Sequence, residues 1–562
     1  MSWSKATPRE KAEKIMQRWE ELKQTRSPFF DQWQQVSKYI SPFSGCFSLK
    51  DHNKNRSTRL ILDSEPTQDL NILTAGLMSG ASSPSRAWFK LQPNNPELAD
   101  NYNVLAYCEY LQKLLLKVFH ASNTYATLHQ MYKELALFGI AADIVYDDFD
   151  TVIRHGLLTA GQYCVETSHT GDIDTLYRNF EMTTIQAIKA FGYQNCPEEI
   201  QKAYDQARLG DYWEFVHAIE PRLDRDYKSV SNEHFEWASI YFCVSTQPKI
   251  VRESGFKYFP CVIPRWDIMG LDPYGSSPSM LALPDIKQLY QETLRKAELI
   301  DNYTKPPLQA PQNARQRPIS LASGALNFTQ STAQESLIRP IIQSTGDINA
   351  LSADIERIKQ SIKRAFYVDL FMMVQQTAGD RRTTVEIYAL QQEQMLSLGA
   401  VVERLQNECL GKLVNLTLKK IIDSGILPPL PQELQNSDLE IEFTSVLAQS
   451  QKSVDVNSID RFYSAVASMA QIDPNVIDRL NADGYIDEYR DRTGVPPTIL
   501  RSKEEADKIR QQRQQQQQAM QEQAMQAQNA QTSNQLAMAQ KYGADASLAM
   551  QQLEKVGGGS MY

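Results

Sequence analysis

Little in this sequence marks covalent chemistry. No G-x-x-x-x-G-K-[ST] is present to cradle nucleotide phosphates, and H-E-x-x-H, G-x-S-x-G and zinc-ligand spacings are missing too. The seven cysteines include no C-x-x-C and are odd in number. That argues for reduced thiols in a cytoplasmic setting and against a disulfide frame. The seven histidines form no cluster at ligand spacing; His120 and His129 sit on separate helical patterns, where core or surface roles are ordinary. No run approaches the ~18 apolar residues of a membrane span, and "MSWSKATPREKAEKIMQRWEEL" lacks an apolar signal core. An excess of positive charge is absent as well. Lys and Arg total 58 against 67 Asp and Glu, for a formal net charge of −9. A general nucleic-acid coat needs a net basic face, so any DNA contact has to be local. These absences set the expectation of a soluble protein made in the cytosol, without membrane insertion, cofactor or metal, and they remove the usual warrants for an enzyme.

What is present is a long chain with real cores. Its 562 residues, 42% hydrophobic, suit several domains or one large elaborated subunit. The first ninety residues read as helices. Ala12, Ile15, Met16, Trp19 and Leu22 mark one. Ser27-Pro28 reads as an N-cap and first helical position for a second, with Phe29, Phe30, Trp33, Val36 and Ile40 on its apolar side. A helix over about 64–80 carries small residues, and "SSPSRAWFKLQP" leaves it as a turn and short strand. Residues 103–120 and 124–139 are two more amphipathic helices. From Ala141 the period changes to two, and "ADIVYDD", "QYCVETS", "DTLYRNFEMT", "YWEFVHAIE", "HFEWASIYFCV", "KIVRES" and "FPCVIPRWD" read as strands, interrupted by short helices near 184–191 and 197–207.

At Pro284 the texture turns helical again. Ile286, Leu289, Tyr290, Leu294, Ala297 and Ile300 share one face of a helix of about twenty residues. A Pro-, Ser-, Gln- and Ala-rich excursion follows, and contains "NARQRP". Ile348, Leu351, Ile355, Ile358, Ile362 and Ala365 then form a sustained seam ending near Val374. "QQTAGDRRTTVEI" separates this seam from a very long helix over about 384–423, with Tyr388, Met395, Val402, Leu405, Cys409 and Leu416 on its buried side. "SDLEIEFTS" returns as one strand, helices follow from about 449, and Ser502-x-x-Glu505 caps a final helix. Residues 511–553 hold sixteen glutamines with Ala and Met. Those residues favour helix, yet composition alone leans towards disorder.

Three features stand out as candidate sites. Asp143, Asp147, Asp148 and Asp150 in "DIVYDDFD" have no companion Glu/Lys motif, so a strand ending in a solvated acidic turn is expected there, not a nuclease or metal site. Arg315 and Arg317 in the Pro-rich excursion read either as ordinary loop charge or as a docking surface. Gly379, Arg381 and Arg382 place paired charge in a helix-to-helix connection of an acidic chain. Thr383 and Glu386 also make a capping box, so this segment reads equally as the start of the long helix.

Several blocks resemble a known family. "RWEELKQTRSPFFDQWQQVSKYISPFSGCF" resembles the opening of the head-to-tail connecting (portal) proteins of short-tailed bacteriophages, or podoviruses, and "LDSEPTQDLNILTAGLMSGASSPSRAWFKLQ" their next block. "LDPYGSSPSMLALPDIKQLYQ" is similar to their entry into the first stem helix. "AGDRRTTVEI", with the long helix ending in "LPPLP", is similar to their tunnel loop and following helix. The matches keep the family's order across most of residues 10–430.

The resemblance implies an α+β, predominantly helical portal fold that assembles as a ring, usually a homododecamer. It implies an N-terminal α+β wing over 1–283, a first stem helix over 284–304, a clip over 305–343 and a second stem helix over 344–374. A tunnel loop over 375–384 follows, then a long helix and a strand returning to the wing sheet over 385–448. A helical crown over 449–510 and a Gln/Ala/Met-rich helix, barrel or disordered tail over 511–562 complete it. The implied role is a structural conduit at one capsid vertex of the virion, assembled in the host bacterial cytoplasm, for genome packaging and ejection. The implied partners are double-stranded DNA, the terminase packaging motor, a tail adaptor protein, and major capsid and scaffold or internal core proteins. Gly379, Arg381 and Arg382 become a DNA-contacting tunnel loop, and Arg315 and Arg317 docking candidates of the clip. The rival readings are a DNA-processing component of the packaging machinery and a helical scaffold protein.

Overall fold

The computed structural model describes residues 7–48, 58–95, 98, 101–229, 231–244, 248–304, 308–309, 339–340, 347–376, 398–427, 429, 431, 434, 439–444, 462–466, 468–469, 481, 483–486, 489 and 503–556. The chain divides into two compact units, Met1–Asn481 and Ala482–Tyr562.

The first unit opens with α1 (Pro8–Ile40), started by a capping box. Thr7 Oγ1 accepts from Glu10 N–H, the Glu10 carboxylate accepts from Thr7 N–H, and Pro8 takes the first turn. The break expected at Ser27-Pro28 does not occur; the helix runs through Pro28. Its buried positions explain why. Ala12, Ile15, Trp19, Leu22, Arg26, Trp33, Val36 and Ile40 form one unbroken stripe, and the packing of that stripe offsets the backbone bond lost at proline. Arg26 lies buried on the stripe, donates to the carbonyls of Gly161 and Tyr163 at 2.9 and 2.8 Å, and covers the Phe30 ring.

Next come α2 (Glu65–Ala81), β1 (Phe89–Pro93), α3 (Tyr102–Ala121) and α4 (Thr124–Phe138), close to the expected bounds. Ten strands and helices follow: β2 (Ala142–Asp148), β3 (Val152–Leu158), β4 (Tyr163–Thr167), β5 (Ile173–Thr183), α5 (Thr184–Phe191), α6 (Glu198–Asp205), β6 (Tyr212–Pro221), β7 (Trp237–Cys243), β8 (Lys249–Phe256) and β9 (Cys261–Val262). β4 to β8 make a five-stranded antiparallel sheet in sequence order, and β3-β2-β9 make a second sheet. Strand alternation gives the large sheet two faces. Ala238, Ile240 and Phe242 pack under Ile15, Trp19 and Leu22 of α1, while Phe215, Cys243 and Val251 pack against Ala187, Cys196 and Ile200 of the α5–α6 region.

β3, "VIRHGLL", is a strand that the sequence pattern did not reveal, because Arg154, His155 and Gly156 interrupt its apolar run. His155 points inward. Its Nδ1 lies 2.5 Å from Asp143 Oδ2 and its Nε2 lies 2.8 Å from Thr124 Oγ1, all three side chains being buried. The acidic cluster therefore divides. Asp143 is a core partner, the Asp148 carboxylate accepts from Thr151, Asp147 pairs with Lys420, and Asp150 is exposed.

Further elements of this unit are α7 (Pro278–Thr304), β10 (Leu308–Gln309), β11 (Arg339–Pro340), α8 (Ile348–Ala365), α9 (Val368–Gln376), α10 (Lys412–Asp423) and β12 (Leu439–Phe443). β12 pairs antiparallel with β1, Phe89 opposite Phe443, in a separate two-stranded ribbon and not with the five-stranded sheet. Trp88 lies between Phe119 and Phe443, stacked with both. One large core joins α1 to α4, β2, α7 to α9 and α10. In the second unit, α11 (Lys503–Val556) is one helix of 54 residues, about 81 Å long. Its Ala, Gln and Met content sustains helix where composition alone leaned towards disorder. Asp483 pairs with Arg510 near its start, at 2.5 Å.

Gly139 ends α4 with φ 75, and a Cβ built there would lie 2.3 Å from the Gly275 carbonyl. Gly139→Ala combines a left-handed penalty with a backbone clash. A loss of about 2 kcal/mol or more in unfolding free energy is expected in denaturant titration.

Candidate functional site

Arg315, Arg317, Gly379, Arg381 and Arg382 lie outside the described residues. The described residues show the supports that carry both segments. α7 and α8 flank residues 305–346, and at their ends β10 and β11 pair antiparallel, Leu308 opposite Pro340 and Gln309 opposite Arg339. α7 starts at Pro278, six residues before the expected Pro284, because its first turn is already buried at Met280, Ala282 and Leu283.

Ile286, Leu289 and Tyr290 of α7 are buried, as are Ile355, Ile358 and Ile362 of α8. Ser361 Oγ donates to Asp285 at 2.7 Å, and the Tyr290 hydroxyl donates to the Tyr39 carbonyl at 2.8 Å. Further along α7 the expected seam comes into the open: Leu294 and Ile300 are 49% and 41% exposed. The half of α7 nearer the body is thus core, and the far half carries apolar side chains that are part-exposed among the described residues.

α8 is fixed to α2 by charge. Lys359 Nζ lies 2.8 Å from Asp63 and 3.6 Å from Glu65, and Lys363 Nζ lies 2.7 Å from Glu65. Asp69, one turn further on α2, is buried with Oδ2 unpaired. Burial raises its carboxyl to about 7, assisted by Glu65 and Asp369 and opposed by Lys363 and Lys359. Neither lysine pair nor acid pair stood out in the sequence. The signal was there in the matching four-residue spacings, 359 with 363 and 65 with 69, but nothing local says that those two faces meet.

The seam read as one helix to Val374 is broken. Tyr367 adopts φ 55 between α8 and α9. α9 packs on α2 where Gly76 leaves room for a ring: a Cβ there would lie 2.3 Å from Phe371 Cδ1. On the other side of residues 377–397, helix runs over 398–404 and then loosens into a π turn, Leu405–Gly411, before α10. Glu408, inside the π turn, meets Arg265. Its Oε1 accepts from Nη2 at 2.9 Å, and its Oε2 accepts from Nε at 3.2 Å and from the Arg265 backbone N–H at 3.0 Å. The same guanidinium donates to the carbonyls of Asp272 and Gly171.

Chemically, this is a mechanical arrangement. Among the described residues no group of His, Cys, Asp and Glu could hold a metal ion. Two supports, α9 and the 398–423 helix, deliver the chain into and out of residues 377–397, and each is pinned to the body by buried contacts.

A family model described as bacteriophage head to tail connecting protein matches residues 12–500. A probable portal protein of Bordetella phage BPP-1 is 39% identical over 501 residues, covering 89% of this chain and 90% of the relative. A portal protein of Salmonella phage epsilon15 is 34% identical over 507 residues, covering 89% and 91%. A chain from the neck of a native gene transfer agent particle aligns with TM-score 0.36 and 12% identity, covering 82% of this chain and 99% of that one.

Glu408→Ala leaves the buried Arg265 guanidinium without its counter-charge. A loss of about 3–5 kcal/mol in denaturant titration is expected. Asp69 gives a pH signature. Its folded value of about 7 lies above the ~3.9 of an unfolded Asp, so its contribution is full below pH 4 and is lost as pH rises through 7. Burial raises Glu134 to about 7 as well. Thermal midpoints measured from pH 5 to 8.5 should fall with rising pH. Asp69→Asn should remove part of that fall and Glu134→Gln a further part.

Proposed function

Since the chain belongs to the bacteriophage head to tail connecting protein family and is a portal of the virion's head–tail neck, we propose that twelve copies close into a ring around a channel for double-stranded DNA. The family is one of structural proteins, its members working as oligomeric rings with capsid and tail partners. No helix among the described residues is long and apolar enough to cross a membrane. The proposal adds the particulars. The ring is built in the bacterial cytoplasm and takes its place at one capsid vertex among major capsid and scaffold or core proteins. It docks the terminase motor during packaging and a tail adaptor afterwards, and has no catalytic activity of its own.

The observation that carries this reading is the stem-like pair α7 and α8. Its near half is buried in the body, and its far half leaves Leu294 and Ile300 exposed among the described residues. Neighbouring copies in a ring would cover such a surface. Residues 305–343 between the two helices would then form the clip, with Arg315 and Arg317 on its docking surface.

Duplex DNA carries about one charge per 1.7 Å, so a strongly basic lining would stall it. The balance of −9 suits passage. Retention asks for a local positive collar. Gly379, Arg381 and Arg382, repeated twelvefold, would supply roughly two dozen charges to the phosphates, reading charge and not bases. The C-terminal helix, also repeated, would gather into a tube with little net charge.

Negative-stain imaging of the purified chain should show closed rings; filaments or monomers alone under assembly conditions would sink the reading. Arg381→Ala with Arg382→Ala should leave rings intact and lower packaging or retention of DNA at least tenfold in a head-filling assay. Loss of rings would assign the arginines to subunit contacts.

A further inference from the structure

The five-stranded sheet turns one face to α1 and part of the other to α5 and α6. On that second face a cross-strand row runs Arg178, His217, Tyr241, Arg252, each opposite the next in register. The His217 ring stacks on Tyr241 with centroids 3.8 Å apart. Its Nδ1 accepts from Arg178 Nε at 3.2 Å, and its Nε2 lies 2.9 Å from Ser239 Oγ. Burial, with Arg178 and Arg252 close by, holds the imidazole well below its ordinary range, so it is neutral. The row therefore carries a cation at each end and no anion. Neighbouring cations are matched, Lys257 with Asp423, Lys420 with Asp147 and Arg222 with Glu253. Among the described residues Arg178 and Arg252 have no such carboxylate.

Tyr241 and Arg252 line a cleft of about 690 Å³ between the sheet, the β2–β3 hairpin and the end of α10. Tyr146 lines it too, and its hydroxyl is buried without a hydrogen-bond partner. Burial holds that phenol well above its ordinary value, so it stays a donor that lacks an acceptor. Phe149, Phe235, Phe256 and Ile426 supply apolar wall. Phe149 is fully exposed at the hairpin tip. The tip has a fixed shape. Asp148 accepts from the backbone N–H and the hydroxyl of Thr151, and Val152 is held at φ 69, a left-handed conformation rare for a β-branched residue. Such strain persists only where surrounding contacts over-determine it.

Unmatched donors beside exposed aromatic rings call for a ligand that is both anionic and apolar. A bare anion would leave the walls wet. A polyanion such as nucleic acid would run against Asp147, Asp148 and Asp423, which also line the cleft. β8 is the edge of its sheet, so no strand lies beyond it to keep out an extended chain. We propose that this cleft docks an acidic peptide segment of a partner protein. One carboxylate meets Arg252 and the Tyr146 hydroxyl, and a neighbouring aromatic side chain packs on Phe149 and Phe256. The cleft lies within one subunit, so the inference stands apart from the ring and channel reading.

Fluorescence polarisation of the purified chain with a fluorescein-labelled Gly-Asp-Phe-Asp-Asp-Gly amide tests this. Saturable binding is expected, weakened about tenfold by Arg252→Glu and left unchanged by Arg9→Glu on the exposed start of α1. Peptides with Asn for Asp, or Ala for Phe, should each bind about tenfold more weakly. Tyr146→Phe removes an unpaired hydroxyl, so it should keep or raise the thermal midpoint while weakening binding about threefold. Absence of saturable binding, equal affinity in Arg252→Glu, or equal affinity for the Asn peptide would overturn the proposal. So would inorganic phosphate competing as well as unlabelled peptide at the same concentration, which would make the cleft a simple anion site. Binding to monomers but not to rings would overturn it as well, by making a second copy the occupant.

Discussion

A buried guanidinium tolerates its position only if its donors are met, and Arg265 has them met from three distant places. Glu408 comes from the helix that follows residues 377–397, Gly171 from the β4–β5 turn, and Asp272 from the approach to α7. The five-stranded sheet, the start of the stem-like pair and the long helix therefore share one fixed point. Lose the carboxylate and all three lose a common reference, because the charge left behind cannot be solvated in place. Geometry set at this point propagates outward through rigid helices.

The second constraint is electrostatic and lies nearer the surface. Lys359 and Lys363 bind α8 to Asp63 and Glu65 at the start of α2, while Gly76 of α2 receives Phe371. α2 thus carries both sides of the joint at Tyr367. A left-handed tyrosine costs energy that only surrounding contacts can hold in place. A joint braced on both sides sends the chain towards residues 377–397 in a defined direction, as a conduit requires of each copy in a ring.

Much of this was legible from periodicity. α2 to α6, most strands and the seams of α7 and α8 follow from apolar spacing, since local burial patterns are written locally. Breaks were harder to see. Pro28 looked like a boundary, but the stripe from Leu22 through Arg26 to Trp33 outweighs it. Tyr367 looked like helix because Ile362, Phe366 and Leu370 keep helical spacing across it, and φ is not visible in spacing. The π turn hid behind the heptad of Val402, Cys409 and Leu416, whose seven-residue spacing runs straight across it. Arg265 with Glu408, and His155 with Asp143, are tertiary meetings with no local mark. Arg315, Arg317, Gly379, Arg381 and Arg382 rest on the sequence and the family.

The β1–β12 ribbon has a bearing on how the subunit comes into being. Gln92 bonds Glu442 across 350 positions of chain, and Phe443 completes the stack on Trp88. During synthesis the N-terminal helices must wait, with that aromatic site open, until nearly four-fifths of the chain has left the ribosome. Contacts so far apart in sequence form slowly and leave apolar surface exposed meanwhile. Closure of the ribbon is thus a late checkpoint: a chain truncated before Phe443 cannot complete it.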